Sequence, residues 1–136
     1  MGVPRAFISF DFDHNSGEKL YFAGQAKNSR TPFTIYDWSA KHSMPQSQWE
    51  RIVEEKIKKC NMVIVLVGRY MSSSIGVRKE IEMANRNNVP VFGVYVDKAN
   101  YLSNIPINLP RSRVVNWEWS KIAEKIDEMM KQGKNA

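Results

Sequence analysis

Four places in this sequence gather side chains that could do chemistry. Ser9-Phe10-Asp11-Phe12-Asp13-His14 brings a hydroxyl, two carboxylates, an imidazole and aromatic rings. Asp37-Trp38-Ser39 adds a carboxylate, an indole and a hydroxyl, and Gly68-Arg69-Tyr70-Met71-Ser72-Ser73-Ser74 adds a guanidinium, a phenol and three more hydroxyls. Together they offer partners for sugar hydroxyls, rings for stacking and a cation for an anionic group, which suits a nucleoside-like ligand. The fourth place is Glu80, a carboxylate inside a helical pattern.

Several chemistries are excluded by what is missing. No Gly-x-Gly pair occurs, so the dinucleotide fingerprint and the Walker A loop are both absent. No Gly-x-Ser-x-Gly elbow occurs either. His14 and His42 are the only histidines and Cys60 the only cysteine, which argues against a zinc site and excludes an intrachain disulfide. A phosphoacceptor receiver would need an Asp ending its third strand, and Val63–Gly68 supplies none.

The elements that must position these residues follow from periodicity. Strands are predicted at Val3–Phe10, Phe33–Tyr36, Met62–Val67, Val91–Val96 and Arg113–Val115. Helices are predicted at Gly17–Lys27 (apolar at Leu20, Ala23 and Gly24), Gln46–Cys60, Ser74–Asn88 and Ser120–Gln132, with Asp97–Arg111 as loop. In Gln46–Cys60, Trp49, Ile52, Val53, Ile57 and Cys60 recur at helical spacing. Met62–Val67 is apolar at every position, the pattern of a strand covered on both faces. The β-α alternation predicts an α/β, flavodoxin-like three-layer fold: a five-stranded parallel sheet of order 2-1-3-4-5 with helices on both faces. A single domain over residues 1–136, with a core over about 3–132, is expected.

In such a sheet a ligand sits beyond the carboxyl ends of the strands, where strand order reverses, here between the first and third strands. The three loops above meet there. Glu80 enters through helical phase. At about 100° per residue, Val77, Ile81, Ala84 and Asn88 form one stripe, Glu80 lies about 60° from Val77 at its edge, and Glu82 about 140° away. Glu80 is then either a carboxylate at the rim of the crevice or an exposed residue paired with Lys79 or Arg78.

Twenty Lys and Arg against fourteen Asp and Glu give +6. The surplus divides as +1 over residues 1–45, +3 over 46–88 and +2 over 89–136. No basic stripe forms, so nucleic acid is not an expected partner. No apolar run approaches the roughly 18 residues of a membrane span. The N-terminus lacks the apolar core of a signal peptide, and Ala6 stands where a myristoylation site wants Ser or Thr. A cytoplasmic protein with no membrane partner is the expectation.

Arg5-Ala-Phe-Ile-Ser-Phe-Asp-Phe-Asp-His14, Gly24-Gln-Ala-Lys-Asn28, Pro32-Phe-Thr-Ile-Tyr-Asp-Trp-Ser39, Cys60-Asn-Met-Val-Ile-Val-Leu-Val-Gly68 and Ser74-Ile-Gly-Val-Arg-Lys-Glu-Ile-Glu-Met-Ala84 occur in order. These blocks, from about residue 5 to 97, resemble TIR (Toll/interleukin-receptor) domains. The likeness is to the short prokaryotic TIR-like family of the kind found in the Thoeris antiphage system. The resemblance implies NAD⁺ as a substrate rather than a cofactor, cleaved at the nicotinamide–ribose bond to give linear or cyclic ADP-ribose. It places the catalytic glutamate before a Leu or Ile on the third helix, which here is Glu80 before Ile81.

The remaining site expectations have two readings each. Phe10 and Trp38 could stack on nicotinamide or adenine, or pack in the core. Ser9, Asp11 and Asp37 could bind ribose, or cap loops and helix starts. Arg69 could face the pyrophosphate, or lie exposed at the surface. The family further implies a separate effector that senses the nucleotide and self-assembly through TIR–TIR contacts. The Arg-Asp-x-x-Pro-Gly signature of signalling adaptors is absent after the second strand, where the sequence reads Asp37-Trp-Ser-Ala-Lys-His-Ser-Met-Pro45. The rival readings are a non-catalytic interaction module and a nucleotide-binding sensor.

Overall fold

The computed structural model describes residues 4–11, 17, 22, 34–38, 46–69 and 74–132, with the backbone alone for 34–38 and 46. Five parallel strands form one sheet: β1 (Arg5–Ser9), β2 (Thr34–Trp38), β3 (Met62–Val67), β4 (Val91–Tyr95) and β5 (Val114–Val115). Their order is β2-β1-β3-β4-β5, as the alternation predicts. Three helices are described in full: α1 (Gln46–Lys58), α2 (Ile75–Arg86) and α3 (Trp119–Gln132). Of the predicted helix Gly17–Lys27, only Gly17 and Phe22 lie among the described residues, and both are helical. Its expected stripe at Leu20, Ala23 and Gly24 lies outside them.

Strand alternation divides the core in two. Side chains in a strand point to opposite faces in turn. Phe7, Val63, Val65, Val67, Val91 and Tyr95 therefore face one way, where they meet Trp49, Val53 and Ile57 of α1 and Val77, Ile81 and Ala84 of α2. Ala6, Ile8, Met62, Ile64, Leu66, Phe92 and Val94 face the other, against Phe22 and the α3 residues Ile122, Ile126 and Met129. All six β3 residues have zero exposure. Burying each of these side chains is worth about 1.5–3 kcal/mol, an upper bound that chain entropy opposes. Gly93 lets the β5 end of the sheet close: a Cβ there would stand 3.0 Å from Val67 Cγ2 and 3.1 Å from Leu109 Cδ2.

Helix boundaries differ from the periodic reading at α2. The Ser74 hydroxyl caps the start, accepting from the Val77 amide at 3.3 Å. At the other end the Asn87 side chain donates to the Met83 carbonyl at 2.8 Å, and Asn88 turns to φ 58°, a left-handed conformation that Asn tolerates. Asn88 is therefore exposed and outside the helix, not on its buried stripe.

Ion pairs fix α2 against α1. Lys79 Nζ meets Glu50 Oε1 at 2.7 Å, and Arg86 grips Glu54 through two nitrogens at 2.8 and 3.0 Å. Asn87 Nδ2 adds a third bond to Glu54 at 2.7 Å. Residue number rises in the same direction along both helices, as parallel crossovers require. The Arg86 and Asn87 hydrogen bonds hold the Glu54 carboxyl down at about 2 from an ordinary 4.5. The folded value lies below the unfolded one, so the unfolded chain takes up the proton first. Stabilisation from this cluster is complete above pH 4.5 and is lost as pH falls toward 2. Because Arg86 is largely exposed, solvent screening keeps the contribution of the cluster small. Urea titrations between pH 7 and pH 2 are expected to show a loss of stability in the wild type that is smaller in Glu54→Gln.

Candidate functional site

Two periodicities bring Ser9 and Glu80 together. Ser9 lies two residues beyond Phe7, so the strand sends its side chain to the face covered by α1 and α2. On α2, Glu80 falls between Val77 and Ala84 on the helix surface, one residue before buried Ile81. Ser9 has zero exposure and Glu80 is 1% exposed, and Ser9 Oγ donates to Glu80 Oε1 at 2.6 Å. Glu82 is exposed. The rim position expected for Glu80 is thus corrected to a buried one. Lys79, offered above as its partner, is bonded to Glu50 instead.

The place matters as much as the pair. Ser9 ends β1 and stands beside Val65 of β3, at the carboxyl edge where strand order reverses. Burying a carboxylate without compensation costs several kcal/mol, and a hydrogen bond to a charged group offsets about 1.5–3 of them. A distance of 2.6 Å is that of a well-formed, charge-assisted bond between a hydroxyl and a carboxylate. A carboxylate held this way has little freedom to reorient. It can accept hydrogen bonds from sugar hydroxyls or stabilise positive charge that develops beside it.

The other predicted site residues divide. Asp11, just past β1, is 6% exposed and belongs to the same edge. Phe10 is 2% exposed and packs in the second core with Ile8, Phe22 and Leu66. Arg69 follows Gly68 at the end of β3 and is exposed, and its Nη2 donates to Asp97 Oδ1 at 3.1 Å. Asp37 and Trp38 occupy β2 opposite Phe7 and Ile8, and their side chains lie outside the described residues, as do His14 and Tyr70 entirely. Asp97 was not predicted. It follows β4 at the same carboxyl edge, in a left-handed conformation at φ 51°, and Lys98 beside it has φ 61°. Two successive non-glycine residues in that region mark local backbone strain. Extending the carboxyl-edge rule to β4 would have found Asp97.

Among the described residues no group of three or more His, Cys, Asp or Glu is placed to hold a metal ion. No helix among them is long and apolar enough to cross a membrane.

The strand order, the two helical layers and a buried glutamate over the carboxyl edge define a TIR-like α/β domain. The family model described as the Thoeris protein ThsB, TIR-like domain, matches residues 7–101, and the chain belongs to that family. No curated protein matches the sequence. Among solved structures, the crystal structure of a prokaryotic SEFIR domain is similar with a TM-score of 0.54 at 14% identity, over 95% of this chain and 91% of that one. That likeness concerns the fold alone. A 3-dehydroquinate dehydratase-like protein from Bifidobacterium longum reaches a TM-score of 0.47 at 11% identity, over 97% and 98% of the two chains, and says nothing of this one.

Removing the Ser9 hydroxyl takes one donor away from Glu80 Oε1. Ser9→Ala is expected to lower unfolding free energy by about 1–3 kcal/mol at neutral pH. The loss should shrink in a Glu80→Gln background, where the acceptor is uncharged. A double-mutant cycle by urea denaturation measures the coupling.

Proposed function

We propose that this chain is a NAD⁺ glycohydrolase or ADP-ribosyl cyclase whose nucleotide product is a signal in bacterial antiphage defence. The observation that carries the reading is Glu80, buried and bonded to Ser9 at the carboxyl edge of β1 and β3, in a chain of the ThsB TIR-like family.

The chemistry fits a single carboxylate. The nicotinamide of NAD⁺ is cationic and departs neutral, taking the electron pair of the C1′–N bond. Glycosidases need a second carboxyl because their leaving group must be protonated, and this one needs no proton. What remains is an oxocarbenium-like ribose, and Glu80 stabilises its positive charge while accepting from the ribose hydroxyls. Water adding to C1′ loses a proton to solvent and gives linear ADP-ribose. A nucleophile of the same molecule, an adenine nitrogen or a ribose hydroxyl, gives a cyclic product when held close.

In this role Asp11 and Asp37 bind ribose, Trp38 stacks on a base, and Arg69 faces the pyrophosphate once released from Asp97. Phe10, packed in the core, supports the edge rather than stacking. Only 1% of Glu80 is exposed, so turnover requires an opening of this edge. Self-assembly or a trigger from the infected cell would supply it, and a separate effector protein would sense the product. NAD⁺ is the substrate, with no cofactor, nucleic acid or membrane in the reaction.

Purified protein is incubated with NAD⁺ and infected-cell lysate, and nicotinamide is measured by chromatography. Glu80→Gln keeps an acceptor for Ser9 but removes the charge. It is expected to cut release by about 100-fold or more while leaving urea stability near wild type. Release unchanged in the variant contradicts the assignment. Tight nucleotide binding without any release from wild type favours the sensor reading, and neither binding nor release favours the interaction module.

A further inference from the structure

The amino edge of the sheet, opposite Glu80, carries a second concave site. A cavity of about 380 Å³ opens between the end of α2, the start of β4, the segment before β5 and the end of α3. Its described walls present four side-chain amides, Asn85, Asn88, Asn108 and Gln132, one cation, Arg113, and apolar surface that includes the Pro90 ring. No acidic residue is among them.

Arg113 is the unusual member. It is half-buried, and Nη1 donates to the Val91 carbonyl at 3.2 Å and approaches Met129 Sδ at 3.7 Å. Those contacts anchor one nitrogen and fix the plane of the guanidinium. Nε and Nη2 have no partner among the described residues, and no carboxylate there pairs with Arg113, whereas Arg69 and Arg86 each hold one. The helix end beside it does not supply the missing negative charge: the Met83, Ala84 and Asn85 carbonyls already accept backbone amides from Asn87, Val89 and Asn88.

A half-buried guanidinium held in place, with free donors and no counter-charge, favours an oxyanion. The surrounding amides can donate to or accept from the body of such a ligand, and the volume lies in the range of small-molecule sites. We infer that this cavity binds a small organic anion, one that ends in a carboxylate or phosphate monoester and carries further hydrogen-bonding groups. It shares no residue with the Ser9–Glu80 edge, so the inference stands apart from the proposed reaction.

Adenosine monophosphate and N-acetylglutamate serve as phosphate and carboxylate probes. Each is titrated into the full chain at pH 7 and followed by backbone amide NMR shifts. Saturable shifts at residues 85–91, 108–113 and 132 are expected with one probe or both, and which probe acts names the oxyanion. Arg113→Gln keeps a donor for the Val91 carbonyl and should weaken that binding about tenfold or more. Asn108→Leu, at an exposed position, should weaken it without relying on the fold tolerating a change at Arg113. No saturable binding of either probe by about 10 mM overturns the inference. So does binding that both variants leave unchanged, or shifts confined to the Ser9 and Glu80 edge.

Discussion

Six consecutive residues of β3, Met62–Val67, are withdrawn completely from water. A strand in that state must have neighbours on both edges and a layer of helix on both faces, because neither its backbone groups nor its side chains can be satisfied otherwise. β1 and β4 supply the edges. Helices α1 and α2 cover one face, and α3 with Phe22 covers the other. Once β3 is central, the chain must leave β1 in one direction for β2 and return across it for β3. The reversal of strand order beside Ser9 is a consequence of that path.

The same packing decides where a charge can be kept. α2 lies in a core that offers almost no polar surface, yet it carries Glu80 into that core. Helix packing alone would expel the carboxylate. It stays because the strand's alternation puts the Ser9 hydroxyl opposite, and because Lys79 and Arg86 tie the outer side of α2 to Glu50 and Glu54 of α1. These ion pairs agree with the rotation that the buried stripe Val77, Ile81 and Ala84 gives α2, the rotation that turns Glu80 inward. A local polar group held against the hydrophobic pattern is the kind of conflict that folds tolerate at functional positions. The catalytic role proposed for Glu80 would give this one a physical purpose.

Much of this architecture was legible in the sequence because periodicity carries it. β3 is readable residue for residue, since a six-residue apolar run this rich in Val and Ile fits a doubly covered strand and is too short for a buried helix. The phase of α2 separated Glu80 from Glu82 correctly but left Glu80 at a rim, because helical angle says nothing about what covers the helix. Its partner was out of reach: Ser9 and Glu80 are 71 residues apart, and their meeting depends on β1 alternation, β1–β3 register and α2 rotation together. The Glu54–Arg86 pair, 32 residues apart, was hidden for the same reason. Helical angle alone puts Asn88 on the buried stripe because it continues the helix past the Asn87 cap. The carboxyl-edge rule applied to β4 reaches Asp97, but its left-handed backbone and its contact with Arg69 are not written in composition.

Mass spectrometry of nucleotides from phage-infected cells tests the central claim most directly, comparing cells that express the wild-type chain with cells that express Glu80→Gln at equal level. A carboxylate that stabilises the ribose cation predicts loss of NAD⁺ together with linear or cyclic ADP-ribose in the wild type, and neither change in the variant. The same product in both cells, with the variant folded and equally abundant, would contradict it.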